Sequence, residues 1–332
     1  SLFSPVDGPA GGREGRLELR RRIFEDLLPS YRALWDRGVV ELATSAAFHP
    51  LLPLLIDLRE ASEPEMPACS FLHPEDAAEH IRRGKRVFAG FFGRDPAGFW
   101  PSEGGVSDET ARAIRGQGLA YALTDENVLW KSRPDGCRPA DRMKPYDCRG
   151  LKILFRDREI SDLIGFEYQR WDEEDAVSDL LGRLRSRASE AGEDAATVIA
   201  LDGENPWAGY KDNGVPFLRR LFSRLKSEPG LVPATLSEYL KHAPPAEPIR
   251  LAAGTWLGSF AKWVGHPEKN GAWEMLSRAR EEVGPVDEIL VAEGSDWFWW
   301  YGEPGTETFD RLFRGYIRSA YRRAGSPQPN NA

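Results

Sequence analysis

The chain has 332 residues, of which 41% are hydrophobic and 29% charged, an ordinary composition for a globular protein. Its 44 basic and 52 acidic residues give a formal net charge of −8, and no basic cluster is large enough to bind a phosphate backbone, so we expect no nucleic-acid partner. No run of about 18 apolar residues occurs, so the sequence predicts no membrane-spanning segment and no membrane partner.

The N-terminal region contains neither an initiator Met nor an apolar signal core, so we expect an incomplete N-terminus and a cytoplasmic location. From Leu17 to Arg37 apolar residues recur at helical spacing, which predicts an amphipathic helix ending at Gly38. Short apolar runs predict strands at 39–44, 86–92, 119–124, 152–157 and 197–202. Helical patterns lie between or after these runs at 74–83, 107–116, 173–190 and 214–226. This alternation predicts a parallel sheet with helices outside it.

Carboxylates recur along these predicted strands, mostly where a strand ends. They are Glu41, Asp125, Glu126, Asp157, Asp202 and Glu204. In a (β/α) barrel the carboxyl ends of the strands converge on the face where active sites form, so we expect these side chains to meet in one cleft. Acids also cap helices and favour turns. That alternative explains a single acid better than the pairs in TDE and DGEN.

Beyond about residue 245 the pattern becomes helical and rich in Trp, with predicted helices at 270–283 and 306–324. We expect this stretch to form a helical segment packed on the barrel.

Two carboxyl groups that flank a sugar linkage, one ionised and one protonated, are the minimal equipment for glycoside hydrolysis. Glu103 lies in the Gly/Pro/Ser-lined stretch GFWPSEGGVSDE (98–109), and Asp202 ends a predicted strand in ALDGENPW (200–207). Their positions differ by 99 residues, about three βα units of roughly 30 residues each. This spacing is compatible with two barrel strands whose ends meet at one mouth.

Many aromatic residues lie beside glycines or carboxylates, namely Trp100, Trp207, Trp256, Trp297, Trp299, Trp300 and Tyr301. Indole rings stack on the apolar C–H faces of sugars, but Trp also packs in cores where its N–H finds a partner. From the residues alone we favour the site for Trp100 and Trp297, and the core for Trp256 and Trp299. His49 fits either a sugar contact or a core position. We expect surface positions for the other four histidines, His73, His80, His242 and His266.

The stretches GFWPSEGGVS, ALDGENPW and AEGSDWFWWYGE (292–303) resemble motifs of glycoside hydrolase family 57. They are most similar to the branch that contains amylopullulanases and related α-amylases. VVELATSAAFHPLLPLL (39–55), FRDREISDLIGF (155–166) and TWLGSFAKWVGHPEKNGAWEML (255–276) match that family as well. The resemblance extends from about residue 17 to 325, with long, rare motifs in the right order.

The resemblance implies an incomplete (β/α)7 barrel over residues 1–245 and a helical segment over 246–332 that packs on the barrel and closes the active site. It also implies a retaining, double-displacement hydrolase of α-1,4 glucans, and action on α-1,6 linkages as well stays open from the sequence. Glu103 matches the nucleophile and Asp202 the general acid/base, whose carboxyls would lie roughly 5–5.5 Å apart for retention. The predicted substrate-binding residues are Glu41, His49, Trp100, Asp157, Glu204, Trp207, Trp256, Asp296 and Trp297.

The sequence departs from the family pattern at two places. A His-Gln-Pro motif on the first strand is absent, and Val39 stands where the family often has Gln. We therefore expect a barrel without its first strand, for which the missing N-terminal strand of the same protein would be a partner. Because an open barrel leaves strand edges unpaired, the chain alone is expected to have little activity. No cofactor and no metal are expected.

Three alternatives stay open from the sequence. The same two carboxylates serve an α-glucan transglycosylase, either a branching enzyme or a 4-α-glucanotransferase. A metal-dependent deacetylase would use His49, Asp157 and Asp202 as ligands, although such sites generally contain more than one His. An inactive carbohydrate-binding fragment would keep the cleft without turnover.

Overall fold

A computed structural model describes residues 12–192, 194–203 and 206–327, and a five-stranded sheet forms its centre. Its strands are β1 (Gly98–Phe99), β2 (Tyr121–Asp125), β3 (Tyr146–Cys148), β4 (Leu151–Arg156) and β5 (Glu247–Pro248). The spatial order is β1-β2-β4-β3-β5; β2 is parallel to β1 and to β4, whereas β3 is antiparallel to β4 and parallel to β5. The parallel strands β1, β2 and β4 therefore end at the same edge.

Two extended segments continue this parallel arrangement through single bridges. Thr44 pairs with Phe99 on one side, and Val198 pairs with Arg156 on the other. The predicted strands at 119–124 and 152–157 are confirmed as β2 and β4. The predicted strands at 39–44 and 197–202 are reduced to these bridges, yet they still lie where barrel strands would flank the sheet.

Helices surround the sheet and make up most of the C-terminal third. They are α1 (Arg13–Asp36), α2 (Leu52–Ile56), α3 (Pro74–Phe92), α4 (Asp108–Gly116), α5 (Glu126–Ser132), α6 (Arg158–Asp162), α7 (Glu173–Ala191), α8 (Val215–Leu225), α9 (Leu236–His242), α10 (Pro267–Val283), α11 (Asp287–Ala292), α12 (Ser295–Trp300) and α13 (Glu307–Ala324). Within the described part of the chain, no helix has the length and hydrophobicity needed to cross a lipid bilayer.

The strand predicted at 86–92 is wrong, because these residues form the last turns of α3. That helix buries Ile81 and Phe88, seven residues apart, and leaves Val87 and Phe91 exposed, so the apolar run covers more than one helix face. A short apolar run has the same composition in a strand and in a helix. The strand of this unit is β1, which begins only at Gly98.

The main hydrophobic core joins the sheet to the C-terminal helices. Phe99, Ile153 and Phe155 from the strands belong to the same buried cluster as Trp273 of α10 and Phe298 of α12, whose rings stack with centroids 4.1 Å apart. A second cluster lies between α6, α7 and α8. The helical segment is thus packed on the sheet through aromatic side chains. The predicted division at residue 245 stays a prediction, and β5 lies just beyond it.

Candidate active site

A cavity of about 680 Å³ lies at the edge where the parallel strands end. Six of the residues predicted from the sequence line it: His49, Trp100, Glu103, Asp202, Trp256 and Asp296. They come from five separate parts of the chain, the segments around 49, 100–103, 202, 256 and 296. Convergence of acids and indoles from such distant segments is the arrangement expected at the strand ends of a barrel-like fold.

Glu103 lies on a tight turn that follows β1. Its backbone has φ 57°, in the left-handed region that few non-glycine residues adopt, and Gly104 follows with φ 61°. The turn is held from two sides: the Thr124 hydroxyl donates to the Gly104 carbonyl at 2.6 Å, and the Trp256 amide donates to the Glu103 carbonyl at 3.1 Å. These contacts fix the direction in which the Glu103 side chain leaves the backbone.

The Glu103 carboxylate accepts a hydrogen bond from the indole Nε1 of Trp256 at 2.7 Å. Burial raises the pKa of Glu103 above its ordinary value, while the Trp256 hydrogen bond and the charge of His49 act in the opposite direction. The Asp202 and Asp296 carboxylates also raise the pKa of Glu103. The cavity therefore concentrates negative charge around Glu103 and supplies one donor that favours its ionised form.

We expect Trp256→Phe to move the acidic limb of a pH–activity profile to higher pH. The substitution keeps an aromatic ring but removes the donor that lowers the pKa of Glu103, so a higher pH is needed to ionise this carboxyl. Activity at neutral pH should fall by about tenfold to a hundredfold, since a hydrogen bond to a charged group is lost. The pH dependence of kcat/KM on a soluble α-glucan checks this, and an unchanged acidic limb would contradict it.

Asp202 is exposed at the end of the extended segment that pairs with β4. The amide of Asp157 donates to the Val198 carbonyl at 2.8 Å, and the amide of Ala200 donates to the Ser161 hydroxyl at 3.2 Å. These bonds attach the segment to α6 just before Asp202. Asp202 and Glu103 consequently line one cavity from different strand ends, as predicted.

His49 lies on a loop in which two consecutive residues have a left-handed backbone: Phe48 with φ 62° and His49 itself with φ 57°. Ser295 holds this loop, because its amide donates to the His49 carbonyl at 2.9 Å and its hydroxyl lies 3.0 Å from His49 Nδ1. Gly294 permits the close approach: a Cβ there would lie 2.7 Å from the Phe48 carbonyl oxygen. The contact sets His49 beside the start of α12, which carries Asp296.

A fully buried pair, His80 and Glu293, lies behind this loop. His80 Nε2 is 2.7 Å from a Glu293 oxygen, and His80 Nδ1 is 2.6 Å from the Ala47 carbonyl oxygen, which can only accept a hydrogen bond. Burial lowers the pKa of His80 to about 4 and raises the pKa of Glu293 well above its ordinary value, so we infer that both are neutral and Glu293 donates to Nε2. The surface position predicted for His80 is therefore wrong.

Four predicted substrate-binding residues lie outside the cavity lining. Glu41 accepts hydrogen bonds from the amide and hydroxyl of Ser237. Asp157 is buried and ion-paired with two arginines. Trp207 packs on Tyr210, and Trp297 donates to the Val291 carbonyl at 2.7 Å. Glu204 lies outside the described residues. The substrate contacts of all five residues stay predictions. The positions of Glu41, Asp157, Trp207 and Trp297 do not favour such contacts.

The cavity also contains residues for which sequence reasoning gave no site role or left two roles open. Trp299 and Trp300 line it, although Trp299 was expected in the core, and so does Phe166. Arg156 lines it with its guanidinium 5.6 Å from the Trp256 ring, and it pairs with Asp125 at 3.1 Å and with Asp162. The run WFWW could have indicated this cavity-lining role for Trp299 and Trp300. A helix spreads consecutive residues around its axis, so four aromatic residues in a row cannot all lie on one face.

The ligand set of the deacetylase alternative is not assembled. His49 and Asp202 line the cavity, but Asp157 accepts hydrogen bonds from Arg142 at 2.9 Å and Arg187 at 2.7 Å instead. Among the described residues, one group places potential metal ligands within 4.8 Å of one another: His73, Glu75 and Asp76. It lies outside the cavity lining, and both oxygens of Asp76 already accept from Arg280.

Comparison with known proteins places this geometry in a family. The model of glycosyl hydrolase family 57 matches residues 16–252. No curated protein matches the chain. Among solved structures it is similar to a GH57 branching enzyme from Thermococcus kodakaraensis, with a TM-score of 0.70 and 19% identity over 93% of this chain and 70% of that one.

Two further structures have the same fold with a different described activity. The α-amylase AmyC from Thermotoga maritima has a TM-score of 0.67 and 16% identity over 98% of this chain and 77% of that one. The 4-α-glucanotransferase from Thermococcus litoralis has a TM-score of 0.69 and 20% identity, over 94% and 53% of the two chains. At such identities these structures establish the fold alone. The predicted fold class, an incomplete (β/α)7 barrel followed by a helical segment, is confirmed.

Proposed function

Because this chain belongs to glycosyl hydrolase family 57, we propose that it cleaves α-glucans with retention of configuration. In this proposal Glu103 is the nucleophile and Asp202 the general acid/base. The observation that carries the assignment is that both carboxyls line one cavity, where an indole N–H holds the Glu103 carboxylate. Linkages of the α-1,4 type are the proposed substrates, with α-1,6 linkages, as in the amylopullulanase branch, as the alternative.

The residues support the two steps of a double displacement. Glu103 attacks the anomeric carbon while Asp202 gives a proton to the departing glycosidic oxygen; Asp202 then takes a proton from the water that releases the sugar. The fixed backbone of Glu103 and the Trp256 hydrogen bond keep the attacking oxygen in one place, so little reorganisation is needed. The exposed position of Asp202 gives water and leaving group access to it.

The indoles that line the cavity supply the binding surface. Trp100, Trp256, Trp299 and Trp300 line the cavity together with the acids Glu103, Asp162, Asp202 and Asp296. A pyranose ring combines apolar C–H faces with hydroxyls, so rings stack on the indoles while hydroxyls donate to Asp296 and Glu103. This combination fits a neutral, hydroxyl-rich polymer better than an anionic one, because the cavity is itself acidic.

A second candidate function is transfer to a sugar acceptor. Two of the similar structures are described as a branching enzyme and a 4-α-glucanotransferase, and the same pair of carboxyls serves that chemistry. In transfer, a glucan hydroxyl takes the place of water on the glycosyl-enzyme. The exposed Trp300 at the cavity supports this candidate, because it offers a ring on which an acceptor sugar can stack.

Product analysis tests the proposal directly. The protein is incubated with amylose, and the products are followed by NMR, reducing-end assay and chain-length analysis. Hydrolysis with retention should release α-anomers first and increase reducing ends. Transfer would instead produce longer or branched chains with little gain in reducing ends. Initial β-anomers would contradict retention, and an unchanged substrate that still binds would identify a binding protein without turnover.

A further inference from the structure

A second, smaller hollow of about 170 Å³ lies beside Trp171. It forms where the turn at 168–173 meets Tyr210 and Lys211. The Trp171 side chain is 45% exposed, so part of its ring is accessible from the hollow. The hollow is separate from the catalytic cavity, and no motif of the sequence analysis accounts for it.

The walls of this hollow are held rigidly. The Trp171 ring packs edge-on against Tyr168 with centroids 5.3 Å apart, and the Tyr168 hydroxyl donates to Asp179 at 2.6 Å. The Tyr210 hydroxyl donates to the Ile164 carbonyl at 2.7 Å. Gly209 allows the two walls to meet, since a Cβ there would lie 1.7 Å from the Gln169 Oε1. The exposed indole therefore lies against a Tyr168 ring that is itself held by a hydrogen bond, and such ordering before a ligand arrives lowers the cost of binding.

The chemistry of the lining matches a single sugar ring. One indole face provides an apolar stacking surface, and around it stand an amide from Gln169, carboxylates from Asp172 and Glu173, and an ammonium from Lys211. The ammonium and the amide N–H groups can donate hydrogen bonds and the carboxylates can accept them, which suits the hydroxyls of a pyranose. The opposite charges in so small a space do not favour a strongly charged ligand.

The hollow is connected to the catalytic cavity through one short segment. Phe166 lines the catalytic cavity and is 54% exposed, and its carbonyl accepts a hydrogen bond from Gln169 Nε2 at 3.0 Å. Trp171 follows Phe166 by five positions along successive short helical turns, a rise of about 8 Å. That is short enough for a glucan chain leaving the cavity past Phe166 to reach Trp171.

We propose that the hollow beside Trp171 binds a further glucose unit of an α-glucan whose other end occupies the catalytic cavity. This inference rests on the proposed function, because it takes the same polymer as ligand. It makes Trp171 a determinant of preference for long chains. Short oligosaccharides that fill only the catalytic cavity do not use it.

The test compares Trp171→Ala with Phe222→Ala, a control that removes another exposed aromatic ring, 55% exposed on α8. Binding of maltoheptaose and maltotriose is measured by calorimetry on the full chain carrying Glu103→Gln, and KM is measured for amylose on the chain with Glu103 intact. Trp171→Ala should weaken maltoheptaose binding and raise the amylose KM by about fivefold or more, with kcat and maltotriose binding unchanged. Phe222→Ala should change none of these.

The outcomes separate this inference from the proposed function. If the parent chain turns over amylose and Trp171→Ala leaves the amylose KM and the maltoheptaose affinity unchanged, the accessory site is refuted while the hydrolase stands. An equal loss for maltotriose and maltoheptaose also refutes it. If no turnover is found but maltoheptaose binds in a Trp171-dependent way, the site stands and the hydrolase fails. Absence of any glucan binding overturns both.

Discussion

Glu103→Gln should lower kcat on α-glucans by about a thousandfold or more while leaving substrate binding nearly unchanged. The amide has the shape of the carboxylate and still accepts from Trp256 Nε1, so the turn and the cavity keep their structure. It lacks the negative charge that attacks the anomeric carbon. Steady-state kinetics give the loss in rate, and calorimetry on the same variant gives the affinity.

Asp202→Asn distinguishes the two proposed roles. With an aryl α-glucoside whose leaving group needs no proton, this variant should still form the glycosyl-enzyme and show a burst of released phenol, whereas Glu103→Gln should not. Glu281→Gln, an exposed acid on α10, is the matched control and should retain full activity. Glu103→Gln with a tenth or more of the original kcat would rule out Glu103 as nucleophile.

Arg280→Met should reduce the free energy of unfolding by about 3–5 kcal/mol. Arg280 donates to both oxygens of the buried Asp76, at 2.5 Å and 3.0 Å, and Asp76 in turn lies against the buried Glu293. Removing the guanidinium leaves two carboxyl groups together in a site from which water is excluded. Denaturant unfolding followed by circular dichroism measures the change.

Arg278→Met is the control for that experiment. Arg278 lies on the same helix, two residues earlier, but its side chain is exposed, so the expected change is within about 0.5 kcal/mol. Equal stability losses for the two variants would show that helix α10, and not the buried ion pair, determines the result. A stable Arg280→Met protein would contradict the structural role given to Asp76.

Local patterns were sufficient to predict the strands that are buried on both faces. β2 and β4 are bounded by turn residues and contain runs of apolar residues, so their period and length leave little ambiguity. The run at 86–92 has a similar composition but belongs to a helix, because the preceding turns from Pro74 onward already bury Ile81 on the same face as Phe88. The seven residues 86–92 alone do not indicate which side chains the neighbouring helical turns bury.

The sequence predicted positions that line the cavity where they lie in long motifs, as with Glu103, Asp202 and Asp296. It did not reveal the placement of residues whose deciding partner is distant in sequence. His80 is buried, and its Nε2 contacts Glu293, which lies 213 positions later in the sequence. A single histidine in an amphipathic helical pattern does not indicate such a contact. Asp157 follows a strand like the other acids, yet Arg142 and Arg187 hold it within the protein. Tertiary ion pairs override the rule that acids at strand ends face the cleft.

The neutral state inferred for His80 and Glu293 has a consequence for behaviour in concentrated salt. Dissolved ions weaken attraction between exposed charges, such as Arg21 and Glu18 on α1, over distances of about 10 Å at 0.1 M. A hydrogen bond between two uncharged, fully enclosed groups has no ion atmosphere to be disturbed. We therefore expect the His80–Glu293 contact behind the His49 loop to respond less to ionic strength than the exposed ion pairs do.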